Sequence, residues 1–170
     1  DFTLALILLI LFIPLFILIC LGISISSKGS PIFTQQRAGY KCNKFTIFKF
    51  RTMEKSKPRV TSQTYFNSPD VFYFGKILRR YKFDELAQIL NILKGEMSFI
   101  GPRPCEISIY ESMPKWAKNR FKVKPGISGL AQIKGGYNIT WEIRWVHDIE
   151  YVRIISFKTD FIIFIKTFLA

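Results

Sequence analysis

Histidine occurs once in this 170-residue chain, as His147, and cysteine three times, as Cys20, Cys42 and Cys105. Scattered and odd in number, the cysteines make neither a disulfide framework nor a Cys-x-x-Cys metal pattern, and one histidine does not complete a zinc site of ordinary composition. Free thiols in a reducing compartment are expected. The sequon Asn138-Ile139-Thr140 is read as chance, since nothing points to export. Acidic residues are scarce too: 12 Asp+Glu stand against 25 Lys+Arg, a formal net charge of +13. Such an excess calls for an anionic partner, whether nucleic acid, anionic lipid or a phosphorylated small molecule, and charge alone does not choose among them. Internal repeats and low-complexity tracts are missing. Apolar residues are plentiful, at 49% hydrophobic and 16% aromatic, which excludes a disordered basic tail. The length suffices for one domain with a real core.

Charge is wholly absent between Phe2 and Ser27. The run from Leu4 to Ile23 has the length of a bilayer-spanning helix, roughly 20 residues, and carries no small-residue cleavage site of a signal peptide. Pro14 stands at its centre, where it removes one helical hydrogen bond and bends the chain. Two geometries are open: a kinked spanning helix, or two arms that enter and leave on one face as a re-entrant hairpin. Lys28 to Arg59 carries nine Lys/Arg and one acid, Glu54, the signature of a cytoplasmic, anionic-lipid side. The chain opens on Asp1, not Met, so any flanking basic residues ahead of the run lie outside the sequence.

A break at Ser26 to Pro31 starts the polar part. Two short strands are predicted, Ile32 to Gln36 and Lys44 to Phe50, around a Gly-containing turn. Residues 54–70, polar and with two prolines, read as a loop. In FDELAQILNILKG, Phe83, Leu86, Leu90 and Leu93 fall on one helical stripe and Asp84, Gln88 and Asn91 on another, with Gly95 as the stop. KNRFKVKPGISGLAQIKGGYN reads as glycine-punctuated loop and WEIRWVHDIEYVRI as helix. The tail FKTDFIIFIKTFLA, with Lys158 and Lys166 on its margins, suits either an interfacial helix or a buried core helix.

Asp84 and Glu85 are the candidate chemistry. A helix dipole favours acids in a first turn, so the pair alone has a structural explanation. Neighbours on a helix point about 100° apart and cannot share a proton as a facing dyad, but they divide labour: one carboxylate toward a substrate, the other toward a cation. Mg²⁺ suits such hard oxygens and usually keeps substrate phosphates in its shell. Arg79, Arg80 and Lys82 precede the pair, and Arg103 follows in a Pro-Arg-Pro turn that leaves its guanidinium little entropy to lose on gripping phosphate. Lys124-Pro125-Gly126-Ile127-Ser128-Gly129 is a second candidate anion site, with an ordinary turn as the plainer reading.

These stretches together make the chain resemble the bacterial sugar transferases, the monotopic polyprenyl-phosphate phosphoglycosyl transferases. The resemblance rests on GSPIFTQQRAG, FTIFKFRTM, FDELAQILNILKGEMSFIGPRP, VKPGISGLAQIKGG and DIEYVRIISFKTD, in the family's order and spacing, covering nearly everything from residue 28 onward. It implies that an aspartate attacks the β-phosphorus of a UDP-sugar and releases UMP, and that membrane-embedded polyprenyl phosphate takes the sugar-phosphate from the enzyme. By that resemblance Asp84 is the nucleophile and Glu85 the Mg²⁺ ligand, while Arg79, Arg103 and Lys49 lie near the diphosphate. It also implies that Pro14 turns a re-entrant helix back to the cytoplasmic face. Three positions depart from the family's pattern: Ile13 stands where a Ser is usual, and in IKGGYN Lys134 and Gly136 replace an Asn and an Arg, with Lys134 as a substitute cation.

The resulting expectation is an α+β protein. Residues 1–27 form a Pro-broken re-entrant membrane helix, and residues 28–170 a cytoplasmic membrane-surface domain of a small strand pair and amphipathic interfacial helices. Its place is the inner membrane, cytoplasmic face; its partners are UDP-sugar, polyprenyl phosphate and phospholipid, with no nucleic acid. The competing functions are a membrane-anchored binder of an anionic polymer, which has no need of Asp84-Glu85, and an inactive relative acting as a scaffold.

Overall fold

A computed structural model describes residues 1–54, 68–135 and 139–169. Most of the stretch 54–70, together with Gly136 and Asn138, lies outside the described residues. The chain divides into two compact units, one of Thr3–Gln35 and Phe48–Leu90, the other of Asp1–Phe2, Gln36–Ile47 and Asn91–Ala170.

The first unit is organised by α1 (Phe2–Ser26), 25 residues of almost uniformly apolar helix and therefore about 37 Å long. Pro14 lies inside it and does not end it. A proline there has no N–H to give the carbonyl four residues back, but one missing bond leaves the helical turns on either side intact. Only Ala5, Ile19 and Ile23 of α1 are buried. The last two, one turn apart, join Phe50, Phe72, Leu78 and Ala87 in a core cluster. Phe16 meets Phe50 edge to face at 5.2 Å, and Gly22 admits the Phe74 ring, since a Cβ there would lie 2.6 Å from it. Burying each such aliphatic side chain contributes about 1.5–3 kcal/mol. Leu8, Leu9 and Leu15 are half-buried and the other leucines and isoleucines of α1 are exposed, an apolar surface far beyond what water tolerates on a soluble helix.

Where α1 stops, Arg51 gathers the carbonyls of the residues that follow it. Only 4% exposed, it donates through Nη1 to Ser27 Oγ and through Nη2 to the Ser27 carbonyl, both at 2.7 Å. Its Nε bonds the Ser30 carbonyl at 2.7 Å, and its guanidinium lies over the Phe72 ring. A cation at a helix C-terminus satisfies carbonyls that the helix itself leaves unpaired. The break expected at 26–31 is thus a real end of helix, held by a buried clamp.

The two anticipated strands are present as β1 (Ile32–Ala38) and β2 (Lys44–Phe50). A tight turn joins them, with Lys41 and Cys42 at positive φ. α2 (Tyr73–Arg80) packs through Gly75 against the backbone of Thr52, where a Cβ would come within 2.3 Å of the carbonyl oxygen. A 3-10 turn over Phe83–Gln88 follows, then α3 (Ile89–Leu93).

The FDELAQILNILKG segment reverses the expected burial. Phe83, on the apolar stripe, is 37% exposed, whereas Gln88 and Asn91 are buried. The reason is partly the 3-10 geometry, which has three residues per turn and shifts the phase of the stripe. It is also specific bonding: the Asn91 amide donates to the Thr46 carbonyl and to Glu96 Oε2, each at 2.7 Å. A buried amide so satisfied is not penalised.

In the second unit β4 (Cys105–Glu106) pairs antiparallel with the end of β1, Ala38 opposite Cys105 and Arg37 opposite Glu106. β3 (Ser98–Ile100) pairs in parallel with β5 (Gly126–Ser128). The segment read as loop around KPGISG is therefore strand and helix, since α5 (Leu130–Gly135) follows at once. Between the strands lie α4 (Ile107–Ser112) and a 3-10 stretch, Lys115–Lys122. α6 (Trp141–Ile154) starts on a Thr140 cap and α7 (Phe157–Thr167) on a Ser156 cap, each hydroxyl accepting an early helical N–H. Tyr151 ties the two helices together: buried, it donates to Asp160 Oδ1 at 2.7 Å, and burial with that bond pushes its phenol above the ordinary range. α7 is not a core helix. Ile163 is its buried residue, while Phe157, at 88%, and Phe161, Phe164 and Ile165 are exposed. The α+β class stands, with helix predominating over small sheets.

Candidate active site

The site begins where α2 ends. Lys82 adopts the left-handed conformation, φ 57° and ψ 20°, which a side-chain-bearing residue rarely takes up. That turn redirects the chain into the 3-10 segment, and Glu85 N–H returns to the Lys82 carbonyl at 3.2 Å. With three residues per turn, Asp84 and Glu85 diverge by about 120°. Glu85 is engaged: its Oε1 accepts from Lys49 Nζ at 2.9 Å, both side chains being largely buried. Asp84 is half-buried. Arg79, one helical turn earlier, donates from Nε to Thr52 Oγ1 at 2.8 Å. β2 and the residues just after it thus meet the α2 to 3-10 junction, bringing Lys49, Arg79, Asp84 and Glu85 into one unit.

The electrostatic sense of this grouping is direct. Two adjacent carboxylates would repel an approaching anion; a lysine bonded to one of them and a neighbouring guanidinium cancel that charge locally. Low exposure strengthens the cancellation, because less water screens it. The Glu85 carboxylate offers the hard oxygen that Mg²⁺ takes, while no cluster of three or more acidic, His or Cys ligands is present among the described residues. Mg²⁺ is commonly bound by one or two carboxylates jointly with substrate phosphates.

Arg103 belongs to the other unit, half-buried on the Gly101-Pro102-Arg103-Pro104 turn between β3 and β4. The turn is held through two successive carbonyls, Pro102 accepting from Gly126 N–H at 3.0 Å and Arg103 from Arg120 Nη2 at 2.6 Å. That first bond corrects the reading of Lys124 to Gly129 as an anion cradle. The Gly126 N–H is spent on the turn, and the glycines serve close strand packing, since a Cβ on Gly126 would sit 2.1 Å from the Gly101 nitrogen. Lys134 is likewise committed. Its Nζ bonds both oxygens of Glu150, at 2.7 and 2.8 Å, and His147 Nδ1 lies 3.2 Å from the same carboxylate. Lys134 first, then His147, hold that carboxyl below the usual glutamate range.

Two arginines escaped the sequence reading. Arg51 clamps the exit of α1, and Arg120 is buried in an ion pair with Asp148 at 2.8 Å. A signal for the second existed: Asp148 shares a helical stripe with Trp141, Trp145 and Tyr151, an acid among aromatics at core spacing.

These features define a class: a protein with a long apolar helix and an acid-and-cation site suited to an anionic phosphate. The chain belongs to the bacterial sugar transferase family, which matches residues 1–170. It is 38% identical to the undecaprenyl-phosphate glucose phosphotransferase of Komagataeibacter xylinus, over 94% of the chain and 32% of that relative. It is 33% identical to the exopolysaccharide production protein ExoY of Rhizobium meliloti, over 98% of the chain and 81% of the relative. It is also 34% identical to a UDP-N-acetylgalactosamine-undecaprenyl-phosphate N-acetylgalactosaminephosphotransferase of Aeromonas hydrophila, over 98% of the chain and 41% of that protein. The chain therefore spans about a third of the first relative and four fifths of the second.

Proposed function

We propose that this protein transfers a sugar-phosphate from a UDP-sugar to polyprenyl phosphate at the cytoplasmic face of the inner membrane. It does so through a phosphosugar held on Asp84. The observation that carries the reading is the Lys49–Glu85 bond beside Asp84, a carboxylate doublet with its own counter-cation, in a family whose relatives are named for such transfers. The relatives' names carry two different sugars, so the donor class is UDP-sugar without a named hexose.

An Asp84 oxygen attacks the β-phosphorus of the donor; the new O–P bond forms as the bridging bond to UMP breaks, and UMP leaves with its electron pair. A phosphate oxygen of polyprenyl phosphate then attacks the same phosphorus, the Asp84–phosphorus bond breaks, and the carboxylate is restored. Splitting the transfer in two lets a water-soluble donor and a membrane lipid use one site in turn. Lys49 and Arg79 offset the negative crowding as two anions meet, and Arg103 is the third cation assigned to the diphosphate. Glu85 would hold Mg²⁺, which when bound would supply charge neutralisation at the phosphate oxygens. Lipid delivery suits α1: its exposed apolar surface lies in the bilayer, and Pro14 turns it back as a re-entrant segment.

The test is incubation of the full chain in detergent with a panel of UDP-sugars and Mg²⁺, without lipid, followed by intact mass spectrometry. A phosphosugar adduct on Asp84, lost in Asp84→Asn and discharged by polyprenyl phosphate, is expected. An adduct on another residue, or none with any donor, overturns the reading.

A further inference from the structure

Outside the candidate site, the most unusual grouping in the molecule is the ion pair of Arg120 and Asp148. Arg120 is 2% exposed and Asp148 1%. Their ion pair, Nη2 to Oδ2 at 2.8 Å, leaves Arg120 Nε and Nη1 and both Asp148 carboxylate oxygens with no hydrogen bond among the described residues. A buried pair so incompletely satisfied is a poor device for stability, since desolvation of the two charges offsets their attraction. Burial pushes the Asp148 carboxyl up despite the arginine beside it. What the pair does accomplish is geometric. The nitrogen that meets Asp148 also donates to the Arg103 carbonyl at 2.6 Å, and Arg120 lines a small cleft with Pro102 and Arg103.

The turn carrying Arg103 needs such a hold. It joins two different sheets: β3 before it pairs with β5, and β4 after it pairs with β1. On the first side the Pro102 carbonyl and the Gly101 N–H are bonded to Gly126 and Ser128. Proline at 102 and 104 removes two N–H groups that would otherwise anchor the turn. The Arg103 carbonyl, on the second side, is gripped by the planar guanidinium of Arg120, whose direction is set by Asp148 on α6. Asp148 fixes Arg120, and Arg120 fixes the backbone from which the Arg103 side chain springs.

We propose that Arg120 and Asp148 are positioning residues for transfer, holding the Pro-Arg-Pro turn so that Arg103 presents its guanidinium to the donor's phosphates. This rests on the role assigned to Arg103 under the proposed function, and the test separates the two. The decisive comparison places Arg103→Ala in two backgrounds, the natural chain and an Arg120→Met/Asp148→Leu chain, whose apolar side chains replace the pair and keep the interior filled. Folding of each is checked by cooperative thermal melting. UMP release is measured with whichever UDP-sugar gives the adduct on Asp84, and kcat and KM are read separately.

In the natural chain Arg103→Ala is expected to lower kcat/KM about a hundredfold. In the apolar-pair chain it should add no more than about a threefold loss, because the guanidinium is already misplaced and the two changes are coupled. Arg120→Lys, which keeps the charge but not the fork, should behave like the apolar pair. If the apolar-pair chain melts cooperatively and Arg103→Ala still costs it about a hundredfold, the proposal is overturned. Should that chain not fold, Asp148→Asn serves in its place in the same cycle. If Arg103→Ala leaves UMP release unchanged in the natural chain, the phosphate role of Arg103 has failed. The hold is then decided by amide exchange of the peptide covering residues 101–106. Faster exchange in the apolar-pair chain upholds the mechanical link, and unchanged exchange overturns it.

Discussion

Glu85 accepts its hydrogen bond from Lys49, a residue 36 positions earlier on β2, at 2.9 Å. The contact joins the basic strand to the acidic turn and makes their charges one unit. Lys49→Met removes the cation that bonds Glu85, a largely buried carboxylate beside Asp84. UMP release should fall by about a hundredfold, an electrostatic loss of roughly 2.7 kcal/mol. Lys49→Arg should recover part of it. Steady-state assay of both variants against thermal melting separates this from unfolding.

The β3–β5 pairing makes its own demand. A Cβ on Gly126 would fall 2.1 Å from the Gly101 nitrogen, and one on Gly101 would fall 2.4 Å from the Lys124 carbonyl oxygen. Neither neighbour is a flexible side chain, so the strands must part. Gly126→Ala should cost about 3 kcal/mol. Urea melts would show it as a lower midpoint at unchanged slope.

Pro14 should decide topology. In a chain freed of Cys20, Cys42 and Cys105, a cysteine introduced by Asp1→Cys should stay unlabelled when intact spheroplasts meet a membrane-impermeant maleimide, and become labelled once they are lysed. Pro14→Leu restores the missing helical bond and favours a continuous span. The same cysteine should then be labelled from outside without lysis.

The exposed cluster on α5 and α6 has a pH signature. Glu150 is held below the ordinary glutamate range, so its contribution is full above the unfolded pKa of 4.5 and is lost as pH falls through the lower folded value. Exposure and solvent screening keep the effect under about 1 kcal/mol. Glu150→Gln should melt slightly below the natural chain at pH 7, and the two curves should merge in acid. High salt should narrow the neutral-pH gap.

The strands and the carboxylate doublet were legible because their signals are local. β2 matches its predicted bounds, Lys44 to Phe50, because a short aromatic-rich run after a Gly-containing turn is a local pattern, although its apolar positions Phe45, Ile47 and Phe48 do not alternate cleanly. The Phe83–Gln88 segment misled because its stripe was counted at helical period, whereas the left-handed Lys82 ahead of it imposes 3-10 phase. Burial of Asn91 depended on the Thr46 carbonyl, 45 residues away, which no local pattern contains. KPGISG looked like a loop because glycine permits both turns and close strands; only its partner, β3, decides which. Arg120 and Asp148 were hidden for the same reason, each being sensible only with the other in view.

The clamp that Arg51 builds at Ser27, Gly29 and Ser30 leaves no slack in the chain leaving α1. A flexible leash would let the polar residues behind it bob above the lipid surface; a buried guanidinium gripping successive carbonyls does not. With α1 in the bilayer as proposed, the altitude of the Lys49–Glu85 site over the lipids is set when the protein folds. In the proposed reaction the lipid-borne phosphate would then reach it by gliding sideways in the leaflet, with no need to rise out of it.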